Sequence, residues 1–102
     1  MGRTQATDGI MEPRSIELKI TNQLGLHARP ASAFVRVASG FDSEIMVEKD
    51  GEVVNGKSLI SLLMLAAGCG ASLKVTANGA DSNEAINALD EMARLDQVFT
   101  QE

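Results

Sequence analysis

What most constrains the fold of this chain is the way the spacing of its apolar residues changes along its length. Ile16, Leu18 and Ile20 alternate with Glu17, Lys19 and Thr21, the period of a strand with one face buried. From Ala28 to about Ser39 the apolar positions Ala31, Phe34, Val35 and Ala38 follow the i, i+3, i+4, i+7 spacing of an amphipathic helix, with Gly40 placed to close it. Glu44 to Lys49 and Glu52 to Asn55 flank Asp50 and Gly51, a dipeptide that favours the two-residue hairpin turn. A short apolar helix is expected from Leu59 to Ala67, led by Ser58 and ended by Gly68 and Gly70. Ser72 to Asn78 then alternates again, with Leu73, Val75 and Ala77 pointing inward. Asp81 and Glu84, standing before Ala85, Ala88, Leu89 and Met92, predict a capping box that opens a last helix running to about Leu95. The tail after Asp96 is expected to fray. The resulting order β, α, β, β, α, β, α predicts an α+β domain, a sheet with helices over one face and the other face open to water.

A chain of 102 residues with 44% hydrophobic residues has room for one modest core. With three Phe and no Trp or Tyr, that core must be aliphatic, and platforms for base stacking are absent. Residues 1–14 are polar and aperiodic and read as a mobile arm, within which Met11 is a candidate start. Residues 15–97 form the expected domain and 98–102 a tail, with no internal repeat or linker. A net charge of −5 and a pI near 4.8 argue against nucleic acid or an anionic membrane as partner, because phosphate backbones demand a basic surface. The lone cysteine, Cys69, cannot form an internal disulfide, and no early apolar run has signal-sequence length, which fits a cytoplasmic protein. Cys69 lies between two glycines without a cation nearby and is expected to be a buried or semi-buried small residue. One histidine and one cysteine make no metal-ligand set, so no metal or other cofactor is expected.

The sole histidine lies in the run Gly25-Leu26-His27-Ala28-Arg29-Pro30-Ala31, at an expected helix start. A free imidazole titrates near pH ~6.5, so at neutral pH it can offer an unprotonated nitrogen to an electrophile such as phosphorus. Pro30 suits a first helical turn, and no Ser, Thr, Asp or Asn occupies His27, Ala28 or Arg29, so the first backbone N–H groups stay uncapped. Those N–H groups and the positive end of the helix dipole form an anion site, to which Arg29 adds a permanent cation. The plainer alternative is an ordinary histidine beside a solvated arginine.

Residues 51–58 spell a second motif, GEVVNGKS, which matches the phosphate-binding loop of nucleotide hydrolases. Val53 and Val54 are strand formers, however, and Glu52 would bring a like charge toward the nucleotide, so a hairpin strand is the expected outcome. Ser58 is placed to cap a helix, where an added phosphate would also be stabilised by the dipole. Leu59, Ile60, Leu63 and Met64 belong to a helix with more apolar surface than one face can bury, and they are candidates for a docking patch.

Together GLHARPA, the hairpin, the stretch GKSLISLLMLAAGCGASL and the capped terminal helix resemble HPr, the histidine phosphocarrier family of the bacterial sugar phosphotransferase system, over about residues 15 to 95. The resemblance implies an open-faced β-sandwich, βαββαβα, with a four-stranded antiparallel sheet and three helices on one face, in a monomer. It implies that His27 takes a phosphoryl group from phosphorylated enzyme I on Nδ1 and passes it to an enzyme IIA. Arg29 and the N–H groups of Ala28 and Arg29 would hold the phosphoryl oxygens, and the chain would act as a stoichiometric carrier and not as an enzyme. Ser58 would match the serine modified by HPr kinase/phosphorylase. Leu24, where sugar-branch members often carry a polar residue, and the LLML run look closer to the nitrogen-branch regulatory carrier. Two other functions are weighed: a mainly serine-phosphorylated effector that binds a transcriptional regulator or kinase, and, remotely, a nucleotide-binding protein.

Overall fold

The computed structural model describes residues 13–96 and 99–101. Strand β1 (Arg14–Ile20) leads to helix α1 (Ala28–Ala38), the hairpin β2 (Glu44–Lys49) and β3 (Glu52–Asn55), and helix α2 (Leu59–Met64). Strand β4 (Ser72–Asn78), helix α3 (Ser82–Leu95) and strand β5 (Phe99–Gln101) follow. The sheet order is β3-β2-β4-β1-β5 and every neighbouring pair is antiparallel. The fold is therefore the expected open-faced α+β sandwich, and a short fifth strand is added to the edge of β1.

Alternation decides which face of the sheet is covered. Leu18, Ile20, Ile45, Val47, Leu73, Val75 and Ala77 are buried and share one core with Ala31 and Phe34 of α1, Leu62 of α2 and Ala85 and Leu89 of α3. Each large aliphatic side chain so buried contributes about 1.5–3 kcal/mol by removal from water. On the bare face, Lys74 stands in register between Glu17 of β1 and Glu48 of β2, a charge alternation that suits a solvated sheet surface. The hairpin turns at Asp50 and Gly51 with φ of 51° and 88°, the paired left-handed conformations of a type I′ turn.

Several details depart from the expectations. The arm's last residue, Arg14, opens β1, while residues 1–12, including Met11, lie outside the described residues. Gly40 does not close α1 in a left-handed conformation. The helix ends at Ala38 with Ser39 as its C-cap, and Gly40 N–H and Phe41 N–H bond back to the carbonyls of Val37 and Ala38, a tightened last turn that needs no positive φ. Helix α2 stops at Met64 instead of Ala67 because Ala66 takes φ 53° and the Ala67 carbonyl accepts the Leu26 N–H at 2.8 Å. No capping box forms at α3. Asp81 is its N-cap residue but makes no side-chain cap, since its carboxylate accepts instead from Asp42 N–H, Ser43 N–H and the Ser43 hydroxyl. The tail does not fray at Phe99, which is nearly buried and pairs with Ile20. Cys69 is exposed, not buried, because the loop after α2 turns its side chain to the surface, with Sγ 3.7 Å from the Thr21 carbonyl oxygen.

Candidate functional site

The loop between β1 and α1 is tied down at both ends. Gly25 N–H donates to the Asn22 carbonyl at 2.9 Å and Leu26 N–H to the Ala67 carbonyl at 2.8 Å. Gly25 has φ +72°, and a Cβ there would lie 2.6 Å from the Ala67 oxygen, so glycine is required both by conformation and by close approach. This clamp delivers His27 to the N-cap position of α1, with φ −116° and ψ −173° and without a side-chain cap on the helix. The Ala31 N–H bonds the His27 carbonyl at 3.0 Å, and Pro30 has no N–H. The amides of Ala28 and Arg29 have no hydrogen-bond partner among the described residues. Two donors at the positive end of an eleven-residue helix thus open beside the imidazole, a geometry suited to an oxyanion.

His27 itself is partly buried. Its Nε2 lies 3.3 Å from Nδ2 of Asn22, and Asn22 Oδ1 accepts the Leu24 N–H at 3.4 Å. Asn22 was not a candidate on sequence grounds, although an asparagine opening a turn toward a glycine is a recognisable signal. It provides the polar contact to the imidazole that Leu24, 78% exposed, does not. Nδ1 is left as the ring nitrogen without a partner among the described residues.

Arg29 reaches away from the helix mouth. Its guanidinium makes a bidentate pair with Asp96, Nη2 to Oδ1 at 3.1 Å and Nη1 to Oδ2 at 3.3 Å, while the arginine side chain stays 65% exposed. Met92 and Leu95 complete the shallow depression around that pair. Asp96 is thus a second residue that sequence reasoning missed; it stands just past the end of α3 and meets Arg29 only through the packing of α3 on α1.

The GKS segment makes no phosphate loop. Gly56 N–H donates to the Ile45 carbonyl, Lys57 N–H to Asn55 Oδ1, Ser58 N–H to the Asn55 carbonyl, and the Lys57 ammonium to the Phe41 carbonyl at 2.6 Å. The amides of the GKS residues and the lysine ammonium, the donors that would hold a nucleotide's phosphates, are thus used within the protein. Ser58 caps α2 by accepting the Ser61 N–H at 3.2 Å. Of the apolar residues after it, Leu59 is partly buried in the core whereas Ile60, Leu63 and Met64 are exposed, at 70%, 37% and 73%. Among the described residues no group of His, Cys, Asp and Glu is arranged to hold a metal, and no helix is long and apolar enough to cross a membrane.

A family model described as "PTS HPr component phosphorylation site" matches residues 14–94. The HPr-like protein Crh of Halalkalibacterium halodurans is 44% identical over 79 residues, which cover 78% of this chain and 92% of that protein. The phosphocarrier protein HPr of Neisseria meningitidis serogroup B is 45% identical over 75 residues, 74% of this chain and 84% of that one. The solved structure of the histidine-containing phosphocarrier protein of Mycoplasma superposes with a TM-score of 0.82 at 30% identity, covering 85% of this chain and 99% of the other.

Proposed function

The chain belongs to the HPr family of phosphocarrier proteins of the phosphotransferase system, and from that premise we propose that His27 is its phosphoryl acceptor and donor. The observation that carries this is the position of His27 at an uncapped helix mouth, with Nε2 engaged by Asn22 and Nδ1 without a partner among the described residues. In the transfer, the Nδ1 lone pair forms a bond to phosphorus, and the bond from phosphorus to the donor's leaving atom breaks with its electron pair returning to the donor. The incoming oxygens accept hydrogen bonds from the Ala28 and Arg29 amides, and the Arg29 fork turns from Asp96 to the phosphoryl group. The donor is phosphorylated enzyme I and the acceptor an enzyme IIA, so the chain is consumed and regenerated as a carrier between partners, as a monomer in the cytoplasm. Ile60, Leu63 and Met64 supply the exposed apolar surface on which those partners dock, with Leu59 supporting it from below.

Incubation with enzyme I and phosphoenolpyruvate tests the assignment. The wild-type chain is expected to acquire an acid-labile, base-stable phosphate that His27→Ala lacks; an equal amount on His27→Ala overturns the role of His27.

Ser58 supports a regulatory layer over the same surface. Its hydroxyl caps α2 two residues before the exposed Ile60, so a phosphate added by a kinase such as HPr kinase/phosphorylase would sit at the positive helix end and, as charge beside the apolar patch, oppose the docking of enzyme I. The likeness to Crh favours weighing a second function here, a serine-phosphorylated effector that binds a transcriptional regulator. Under it, Ser58→Ala abolishes regulation while phosphoryl transfer through His27 survives. Leu24 keeps the nitrogen-branch carrier in view, and assay against enzyme IIA proteins of both branches separates the two.

A further inference from the structure

We propose that Asn22 is the positioning residue for His27, its side-chain amide holding Nε2 in either protonation state of the ring. This inference rests on the phosphocarrier function proposed above, and it concerns what must happen to the ring's proton before Nδ1 can act.

The direction of the contact is set by a second hydrogen bond. Asn22 Oδ1 accepts from the Leu24 N–H, so the amide presents Nδ2, a pure donor, to the imidazole. At 3.3 Å from Nδ2, Nε2 must accept. A neutral imidazole that accepts at one nitrogen carries its proton on the other, and the resting ring is therefore protonated on Nδ1. In that tautomer Nδ1 has no lone pair to give. For transfer to begin, the proton leaves Nδ1 and Nε2 becomes protonated; the bond to phosphorus then forms at Nδ1, and the ring carries an N–H at Nε2.

Asn22 can follow this change without any movement of the loop. A half-turn of its terminal amide swaps Nδ2 for Oδ1, so that Nε2–H donates to an acceptor in the same place. The rotation gives up only the Leu24 N–H contact, which is long at 3.4 Å and exposed, and water replaces it. The turn remains held by bonds that do not involve the side chain, Gly25 N–H to the Asn22 carbonyl and Leu26 N–H to the Ala67 carbonyl. An amide can serve both states because it has a donor and an acceptor on one planar group. A carboxylate could serve only the protonated Nε2, and a methyl group neither.

Nitrogen-15 NMR of the His27 ring, recorded on the unphosphorylated chain on the basic side of its titration, reads the tautomer directly. The wild type is expected to favour Nδ1–H over Asn22→Ala by up to about fivefold, since the preference comes from the Leu24 N–H contact that fixes the amide and is worth at most one hydrogen bond of ~1 kcal/mol. Asn22→Asp, which keeps the Oδ1 acceptor for Leu24 and so the turn, is expected to reverse the preference toward Nε2–H. Asn22→Asp carries the test should Asn22→Ala fold poorly. A wild-type ratio equal to that of Asn22→Ala, or one that Asn22→Asp leaves unchanged, overturns the proposal. No phosphoryl donor is present in this measurement, so its failure is distinct from the retained phosphate on His27→Ala that would overturn the carrier function.

Discussion

Arg29 occupies its guanidinium with Asp96 while remaining 65% exposed, against 11% for the Asp96 side chain, and an ion pair screened by water at its arginine end contributes on the order of 1 kcal/mol to stability. It is therefore inexpensive to break when phosphoryl oxygens compete for the same fork. Arg29→Gln is expected to leave the urea unfolding free energy within ~1 kcal/mol of wild type. The same variant should slow phosphoryl gain about tenfold or more, as loss of a charge-assisted hydrogen bond of ~1.5–3 kcal/mol requires. A variant that transfers at the wild-type rate removes Arg29 from the site. Ser58→Ala loses the cap on Ser61 N–H and is expected to cost about 0.5–2 kcal/mol in the same unfolding experiment. His27, the uncapped amides and the Ser58 cap were legible in the sequence because each depends on residues within one helical turn. Asn22 and Asp96 were not. Arg29 and Asp96 are separated by 67 positions, and no local pattern encodes a contact that exists only because α3 lies against α1. Asn22 meets His27 across a loop whose shape depends on the Ala67 carbonyl, again a distant group.

Strands β2, β3 and β4 begin and end where alternation and the Asp50-Gly51 turn place them, since strand period and turn chemistry are local properties. The elements that differ do so where tertiary contacts compete with a local preference. The last turn expected of α2 yields to a bond between Ala67 and the histidine loop, and the capping box yields to Asp42 and Ser43, which draw the Asp81 carboxylate toward the start of β2. Strand β5 is too short to announce itself by period; its only sign is the apolar pair Val98-Phe99 in an otherwise polar stretch of sequence. Phe99, 4% exposed, holds that strand against β1. Phe99→Ala is expected to destabilise the fold by about 3–5 kcal/mol in urea unfolding and to speed amide exchange in the outer edge of β1. A loss below ~1 kcal/mol would mean that β5 adds little to the domain.

For the molecule as a whole, Asp81 ties the start of α3 to the entry of β2, and the Ser43 hydroxyl, followed by the Asp42 amide, holds its carboxyl below the usual aspartate value. A depressed folded-state pKa adds stability that is fully present above the unfolded-state pKa and is lost as pH falls through the folded one. Thermal stability is thus expected to fall on acidification in the aspartate range, and Asp81→Asn to flatten that part of the profile; an unchanged slope would show that other carboxylates govern it. The order of strands in the sheet also has a bearing on how the protein is made. Strand β1 is the first described element in the chain, yet its two neighbours are β4 and β5, and the loop that presents His27 is braced by Ala67. On the ribosome the histidine emerges before Ala67, β4 and β5, and waits without its frame until they follow. Arrested chains that stop before residue 72 should therefore accept no phosphoryl group, and the protein becomes competent to carry phosphate only after the strands that flank β1 have been made.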